Sequence, residues 1–117
     1  EERFILETRI GRKNLIKYNK AIRDKIPKII EDSGNTCNVK TLDDDQFLAE
    51  MEKKLVEELH EYQESKDVEE LADILEVIYR ISELKGVNLD KTRQEKVEKR
   101  GGFEKNLFLM DTSDSKN

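Results

Sequence analysis

Apolar residues recur every three or four positions along two consecutive stretches of the chain, residues 44–64 and 68–85. An α-helix turns about 100° per residue, so this spacing collects them on one helix face. A short connection around Ser65–Asp67 separates the stretches. Asp43 is a predicted N-cap of the first stretch, with Gln46 as its capping-box partner. The sequence therefore predicts two long helices folded back against each other.

The remaining segments are shorter and more polar. Two further helices are predicted over residues 25–33 and 89–99, and Gly34 and Gly86 are predicted to end the helices that precede them. Residues 35–42 lack a helical period and include the β-branched side chains of Thr36, Val39 and Thr41, which favours an extended segment. We therefore predict an all-α fold.

The composition limits the size of the core. The chain has 117 residues, which corresponds to about one domain, and 35% of them are hydrophobic while 42% are charged. One copy can bury only a thin core, so we expect a helical bundle completed by homo-oligomerisation, as a homodimer or homotetramer. The predicted domain covers residues 18–110. Residues 1–17 stay unassigned, and residues 111–117 are expected to be a disordered tail.

Charge and cysteine content narrow the partners and the compartment. The formal net charge is −5, which argues against binding to a nucleic-acid polymer. No apolar run is long enough to cross a membrane, and the first residues lack the apolar stretch of a signal peptide. Cys37 is the only cysteine, so an internal disulfide is impossible and a cytoplasmic location fits. We interpret Cys37 as a packing residue and His60, the only histidine, as a surface residue.

Four acidic residues fall on or beside the apolar faces of the two long helices. Glu58 and Glu61 lie there on the first helix, and Glu70 and Asp73 on the second, each pair three residues apart. Ionised carboxylates are rarely buried unless they are paired or bound to a metal. Four facing oxygen ligands suit Mg²⁺, with Mn²⁺ as an alternative.

Ordinary explanations exist for each acid alone. Asp67 is a possible N-cap with Glu70 as its capping-box partner, which would account for Glu70 without a metal. Glu58 and Glu61 would pair with Lys54 and other basic side chains at helical spacing. Two such pairs on consecutive helices, both on the core side, favour the metal.

These residues also resemble a known family. Residues 57–61 (EELHE) and 70–73 (ELAD) resemble the EExxE and ExxD motifs of the all-α nucleoside triphosphate pyrophosphatases, which include the MazG-like enzymes and the phosphoribosyl-ATP pyrophosphohydrolases. Residues 18–20 (YNK), 23–27 (RDKIP) and 99–104 (KRGGFE) resemble segments of a small-protein branch of that superfamily. The resemblance follows chain order and covers most of the sequence.

The resemblance implies Mg²⁺-dependent hydrolysis of a nucleotide to its monophosphate and pyrophosphate, in a dimer or tetramer. By motif, Glu58, Glu61, Glu70 and Asp73 would be metal ligands. Glu57 and Glu61 are the residues to which we assign catalysis, Glu57 as a supporting acid or as the base that orients water. The spacing from Glu61 to Glu70 is closer to the phosphoribosyl-ATP branch than to many MazG proteins.

Such chemistry also needs cations for the phosphates that the metal does not reach. The predicted substrate-binding residues are Arg23, Lys25, Lys54, Lys96 and Arg100. The alternative for the last two is a solvated basic helix end that complements the helix dipole. Four aromatic side chains have the shape to stack on a base, but we interpret them as packing residues; these are Phe47, Tyr62, Tyr79 and Phe103.

A function of another class fits the same pattern. A non-catalytic helical module, stabilised by metal, would bind a nucleotide or a protein without turnover. In an enzyme the carboxylates are essential, whereas in such a module their neutralisation would be harmless or stabilising.

Overall fold

The computed structural model describes residues 15–114, and over that range the protein is all-helical and contains no strand. The helices are α1 (Ile26–Asp32), α2 (Asp44–Ser65), α3 (Val68–Leu84) and α4 (Leu89–Arg100). The all-α prediction is confirmed, and each predicted helix is found within one residue of its expected bounds. Residues 36–42 lie outside any helix, in irregular chain rather than a paired strand.

Helix α2 begins with the predicted capping box. Asp43 Oδ1 accepts a hydrogen bond from the Gln46 backbone N–H at 2.8 Å, and Gln46 Oε1 accepts one from the Asp43 N–H at 3.4 Å. The two bonds satisfy N–H groups that have no partner inside the helix. The register of the long helix is thereby fixed at its first turn.

Only Lys66 and Asp67 separate α2 from α3. Lys66 adopts a left-handed conformation with φ of 59°, and its N–H donates to the carbonyl of Tyr62 at 2.8 Å. Asp67 then caps α3 by accepting the Glu69 N–H at 3.1 Å. The tight turn makes α2 and α3 a helical hairpin whose helices pack along their lengths.

Two glycines end helices as predicted. Gly34 follows α1 with φ of 94°, and Gly86 follows α3 with φ of 68°. At both ends the glycine N–H bonds to a carbonyl of the last turn, and the next residue's N–H bonds to the carbonyl five positions back. This double bonding is the Schellman motif, which requires a residue with positive φ at the glycine position.

The core is thin and is divided into two clusters. One joins the hairpin to the segment before α1 through Ala21, Met51 and Val77, with partly buried neighbours around them. The other consists of Ile26 and Ile30, which are buried under Tyr18, Ile22 and Cys37. The second cluster confirms Cys37 as a packing residue, and His60 is exposed as predicted.

The chain divides into two compact units, one ending at Val87 and the other beginning at Asn88. In the second unit, the Asn88 side chain caps α4 by accepting the Lys91 N–H at 3.1 Å. The interpretation of Phe103 as a packing residue is wrong, because its side chain is 98% exposed. No helix within residues 15–114 has the length and apolarity to cross a membrane.

Candidate metal centre

The helical hairpin brings together three of the predicted metal ligands. Glu58 of α2 and Glu70 and Asp73 of α3 each offer one carboxylate oxygen, and these oxygens lie within 4.8 Å of one another. Glu70 and Asp73 are three residues apart on one helix, so their side chains project to the same side. The antiparallel return at Lys66–Asp67 then places Glu58 opposite them. Glu61, the fourth predicted ligand, lies outside this group of three.

Glu58 is the most buried of the acids. Only 3% of its surface is exposed, and its Oε2 lies 3.5 Å from Lys54 Nζ. Lys54 is itself only 6% exposed, so the two opposite charges are buried together. A buried charge without a partner is costly, and this pairing offsets part of that cost.

Glu70 carries a buried oxygen with no hydrogen bond. Its Oε1 has no donor among the residues from 15 to 114 and is closed off from solvent. Burial raises the pKa of Glu70, and the neighbouring carboxylates of Glu61 and Asp73 raise the pKa further. A carboxylate buried beside other carboxylates is a group that a bound cation would stabilise.

The capping-box explanation of Glu70 is not supported. Asp67 is the N-cap of α3, as that explanation required, but its backbone N–H donates to Ser65 Oγ at 3.0 Å. In a capping box the Glu70 carboxylate would accept that N–H. Because Ser65 Oγ accepts the Asp67 N–H, a capping box does not explain why Glu70 lies beside Glu61 and Asp73.

Arg23 reaches the acidic group from the segment before α1. Its Nη2 lies 2.6 Å from Asp73 Oδ1, an ion pair between side chains that are 45% and 25% exposed. The prediction placed Arg23 at the phosphates of the substrate. The structure instead shows its guanidinium on one of the predicted metal ligands, within the same site.

Lys20 is a site residue that the sequence reasoning missed. Its Nζ lies 2.5 Å from Glu57 Oε2, and Lys54 Nζ lies 3.5 Å from Glu57 Oε1. Burial alone would raise the pKa of Glu57, but the two ammonium groups outweigh that effect, so the pKa is lowered. The signal available was the resemblance of residues 18–20 to a family motif, whereas charge spacing gave no reason to connect Lys20 with α2.

Lys20 and Lys54 also line a small cleft beside the acidic group. Asn19, Lys53, Glu50 and Glu57 complete most of its wall. Because Lys54 contacts both Glu57 in the cleft and Glu58 in the acidic group, the cleft and the candidate metal centre share one buried cation.

Three other predicted residues are exposed. Lys25 is exposed at the N-cap of α1. Lys96 and Arg100 are exposed on α4, within the second unit. Arg100 lies in the last turn of α4, where a cation complements the helix dipole. Their roles in substrate binding stay predictions.

The donor set fits a hard divalent cation. All three groups are carboxylates, the ligands that Mg²⁺ and Mn²⁺ prefer. The three oxygens lie within 4.8 Å of one another, and oxygens on opposite sides of a Mg²⁺ ion are about 4.2 Å apart. Glu70 Oε1 is buried and accepts no hydrogen bond from residues 15–114, so a cation could bind it. The arrangement could hold one divalent cation.

Comparisons of the chain with family models, with curated proteins and with solved structures find no match.

Proposed function

We propose that this protein is a Mg²⁺-dependent nucleotide pyrophosphohydrolase, which hydrolyses its substrate to a monophosphate and pyrophosphate. The observation that carries the proposal is the group formed by Glu58, Glu70 and Asp73, with a buried Glu70 oxygen that accepts no hydrogen bond in the described part of the chain. The motif resemblance of residues 57–61 and 70–73 supports the same chemistry. Mn²⁺ is expected to replace Mg²⁺.

The residues around the group have distinct roles in this proposal. Glu58, Glu70 and Asp73 would hold the metal, with Glu61, beside Glu70, as a further ligand from the motif, and the metal would neutralise phosphate charge and activate a water molecule. Lys54 and Arg23 would bind the remaining phosphate oxygens.

Glu57 fits a supporting role better than that of a base. Lys20 and Lys54 lower its pKa, and a carboxylate with a lowered pKa is a weaker proton acceptor. Its ionised form would instead hold the two ammonium groups in place and orient a water molecule. Glu61, beside Glu70, is the second acid that we assign to catalysis.

The substrate is a nucleoside triphosphate or a phosphoribosyl-ATP-like nucleotide. The short spacing between Glu61 and Glu70 favours the second, whereas the general motif pattern accommodates both. A cytoplasmic location, where nucleotides and Mg²⁺ are abundant, fits either substrate.

We further propose a homodimer or homotetramer built on the helical hairpin. Val77 marks the buried face of α3. The opposite face carries four apolar residues that are 37–71% exposed, namely Val68, Leu71, Leu75 and Tyr79. Val56 and Leu59 on α2 are exposed as well. Such a stripe on a helix with an already packed opposite face is typical of a helix that contacts neighbours on two sides.

The test is the release of pyrophosphate from a panel of standard and modified nucleoside triphosphates and phosphoribosyl-ATP, with and without Mg²⁺. We expect Mg²⁺-dependent release from at least one of them, reduced at least about a hundredfold in Glu58→Gln and Asp73→Asn. The matched control is Glu76→Gln on the exposed side of α3, which should retain activity. Release that is independent of metal, or unaffected by both substitutions, would contradict the proposal.

A non-catalytic, metal-stabilised interaction or nucleotide-binding regulatory module is the second candidate. The exposed apolar stripe of α3 favours it, because an interaction protein needs such a surface whether or not it has activity. Glu58→Gln separates the two candidates. In the module, this substitution would leave nucleotide or partner binding intact; in the enzyme, it abolishes turnover while the helices stay folded.

A further inference from the structure

Arg23 and the candidate metal would share one carboxylate. Arg23 Nη2 is 2.6 Å from Asp73 Oδ1, and Asp73 is one of the three residues whose oxygens converge. A guanidinium and a divalent cation on the same carboxylate repel each other. The two cations therefore compete for the negative charge of Asp73, and each weakens the binding of the other.

The backbone near Arg23 is anchored, whereas its side chain is partly exposed. Ala21, two residues earlier, is buried against Met51 and Val77 of the hairpin. The Arg23 side chain is 45% exposed, so its long stem can rotate toward solvent without disturbing this core. A guanidinium that leaves Asp73 would stay tethered beside the hairpin, because Ala21 holds the backbone two residues away.

We propose that Arg23 is an exchangeable counter-ion, which divalent metal displaces from Asp73 and which then binds a phosphate of the substrate. This inference rests on the proposed metal-dependent function of the site. Arg23 holds the Asp73 charge until the metal takes it over, and the released guanidinium matches phosphate oxygens in a bidentate manner. Metal binding at Asp73 thereby releases the Arg23 guanidinium to bind an anion.

The exchange predicts opposite effects of one substitution on two ligands. Arg23→Gln removes the competing cation, so Mn²⁺ alone should bind about threefold to tenfold more tightly, as measured by titration calorimetry. In the presence of saturating Mn²⁺, inorganic pyrophosphate should bind the same variant roughly tenfold more weakly. Circular dichroism would verify that the variant keeps its helices.

Lys20→Gln is the matched control for the metal measurement. It removes a cation from the same segment, but Lys20 pairs with Glu57, which lies outside the converging group. Its effect on Mn²⁺ affinity should be smaller than that of Arg23→Gln. Arg23→Lys, which keeps the charge without the planar fork, should restore the wild-type Mn²⁺ affinity but only part of the pyrophosphate affinity.

The contrary outcomes separate this inference from the proposed function. Weaker Mn²⁺ binding in Arg23→Gln would mean that Arg23 orients Asp73 toward the metal, and would overturn the exchange. Unchanged pyrophosphate affinity would overturn it as well. In both cases Mg²⁺-dependent pyrophosphate release by the wild-type chain would leave the proposed function standing. A wild-type chain that binds no Mn²⁺ would overturn both.

Discussion

In this chain, the position of an acidic side chain says more about its function than the number of acidic residues does. Asp and Glu together number 27, and most of them are unremarkable on solvated helix faces. Glu58 and Glu70 differ because the fold withdraws their oxygens from water. A protein keeps such groups at a cost in stability only where something else uses them. The candidates for functional residues in this chain are therefore the charged side chains whose burial lowers the stability of the fold.

Glu70→Gln should stabilise the metal-free protein at pH 7, by about 1 kcal/mol. The acids that face Glu70 are Glu58 and Glu61 on α2 and Asp73 on α3, and an amide can donate hydrogen bonds to them. Thermal unfolding followed by circular dichroism measures the effect. Glu76→Gln, on the exposed side of α3, is the control and should change stability by less than about 0.5 kcal/mol.

The pH dependence has a definite sign. Because the pKa of Glu70 is raised on folding, the folded chain holds this proton more tightly than the unfolded chain does. Its contribution to stability therefore falls as pH rises from the ordinary glutamate pKa through the raised one. Glu70→Gln should remove that decline, and an unchanged pH profile would show that Glu70 is not strained in the folded state.

Lys20→Gln should raise the pKa of Glu57 relative to the wild-type chain. Lys20 and Lys54 together lower that pKa, and the substitution leaves only Lys54. Carbon-detected NMR titration of the Glu57 carboxyl group measures the change. Lys53→Gln is the control, since Lys53 pairs with Glu50 at 3.1 Å and not with Glu57.

The same ion pair has a consequence for acid stability. A lowered pKa stabilises the fold above the ordinary pKa and is lost as pH falls through the lowered one, so Lys20→Gln should lose less stability on acidification. Since both side chains are about one-third exposed, the difference should be no more than roughly 0.5–1 kcal/mol. A Glu57 pKa unaffected by Lys20→Gln would contradict the contact.

At the level of elements, local signals were sufficient for the helices. The capping box at Asp43, the glycines that follow α1 and α3, and the apolar period each act within a few residues. The hairpin follows from two such helices and a short turn, and it brings three of the four predicted ligands together.

Contacts between distant, irregular segments were not predictable in the same way. Lys20 and Arg23 lie in chain without a helical period, and their partners are 37 and 50 positions away. Sequence periodicity does not relate Lys20 and Arg23 to their partners. Both ion pairs depend on how the neighbouring Ala21 packs against the hairpin. The sequence accordingly assigned Arg23 to phosphate only, and it did not assign Lys20 at all.

The turn between α2 and α3 provides a test of how tightly the hairpin is specified. Lys66 is a non-glycine residue with φ of 59°, so Lys66→Gly should relieve backbone strain and stabilise the protein by about 0.5–1 kcal/mol. Lys85→Gly is the matched control, because Lys85 ends α3 with φ of −85° and gains nothing from glycine. Thermal unfolding of both variants measures the difference. A Lys66→Gly variant no more stable than the wild type would contradict a strained turn.

For the whole molecule, the thin core and the exposed apolar residues point to a larger assembly. Only five hydrophobic residues are buried among those from 15 to 114, and none of their side chains is fully enclosed. A single copy therefore leaves most of the α3 stripe in water. A second copy is the partner we propose for it, with other proteins as the alternative.

Sedimentation equilibrium tests this assembly. The wild-type chain should sediment with a mass of at least two 13.8 kDa copies, whereas Leu71→Gln combined with Leu75→Gln should shift it toward a single copy without loss of helicity. Val39→Gln, an exposed apolar residue outside the helices, is the control. A monomeric wild-type chain would contradict the proposed homo-oligomer and favour a different partner.

We propose that the acidic group directs hydrolysis between the first and second phosphates of a nucleotide. Phosphorus NMR of each nucleotide substrate with the protein and Mg²⁺ tests it most directly, because it identifies the products. We expect nucleoside monophosphate and pyrophosphate to appear together and in equal amounts, and neither to appear with Glu58→Gln. Inorganic phosphate accompanied by a nucleoside diphosphate, or an unchanged substrate with folded, metal-loaded protein, would contradict it.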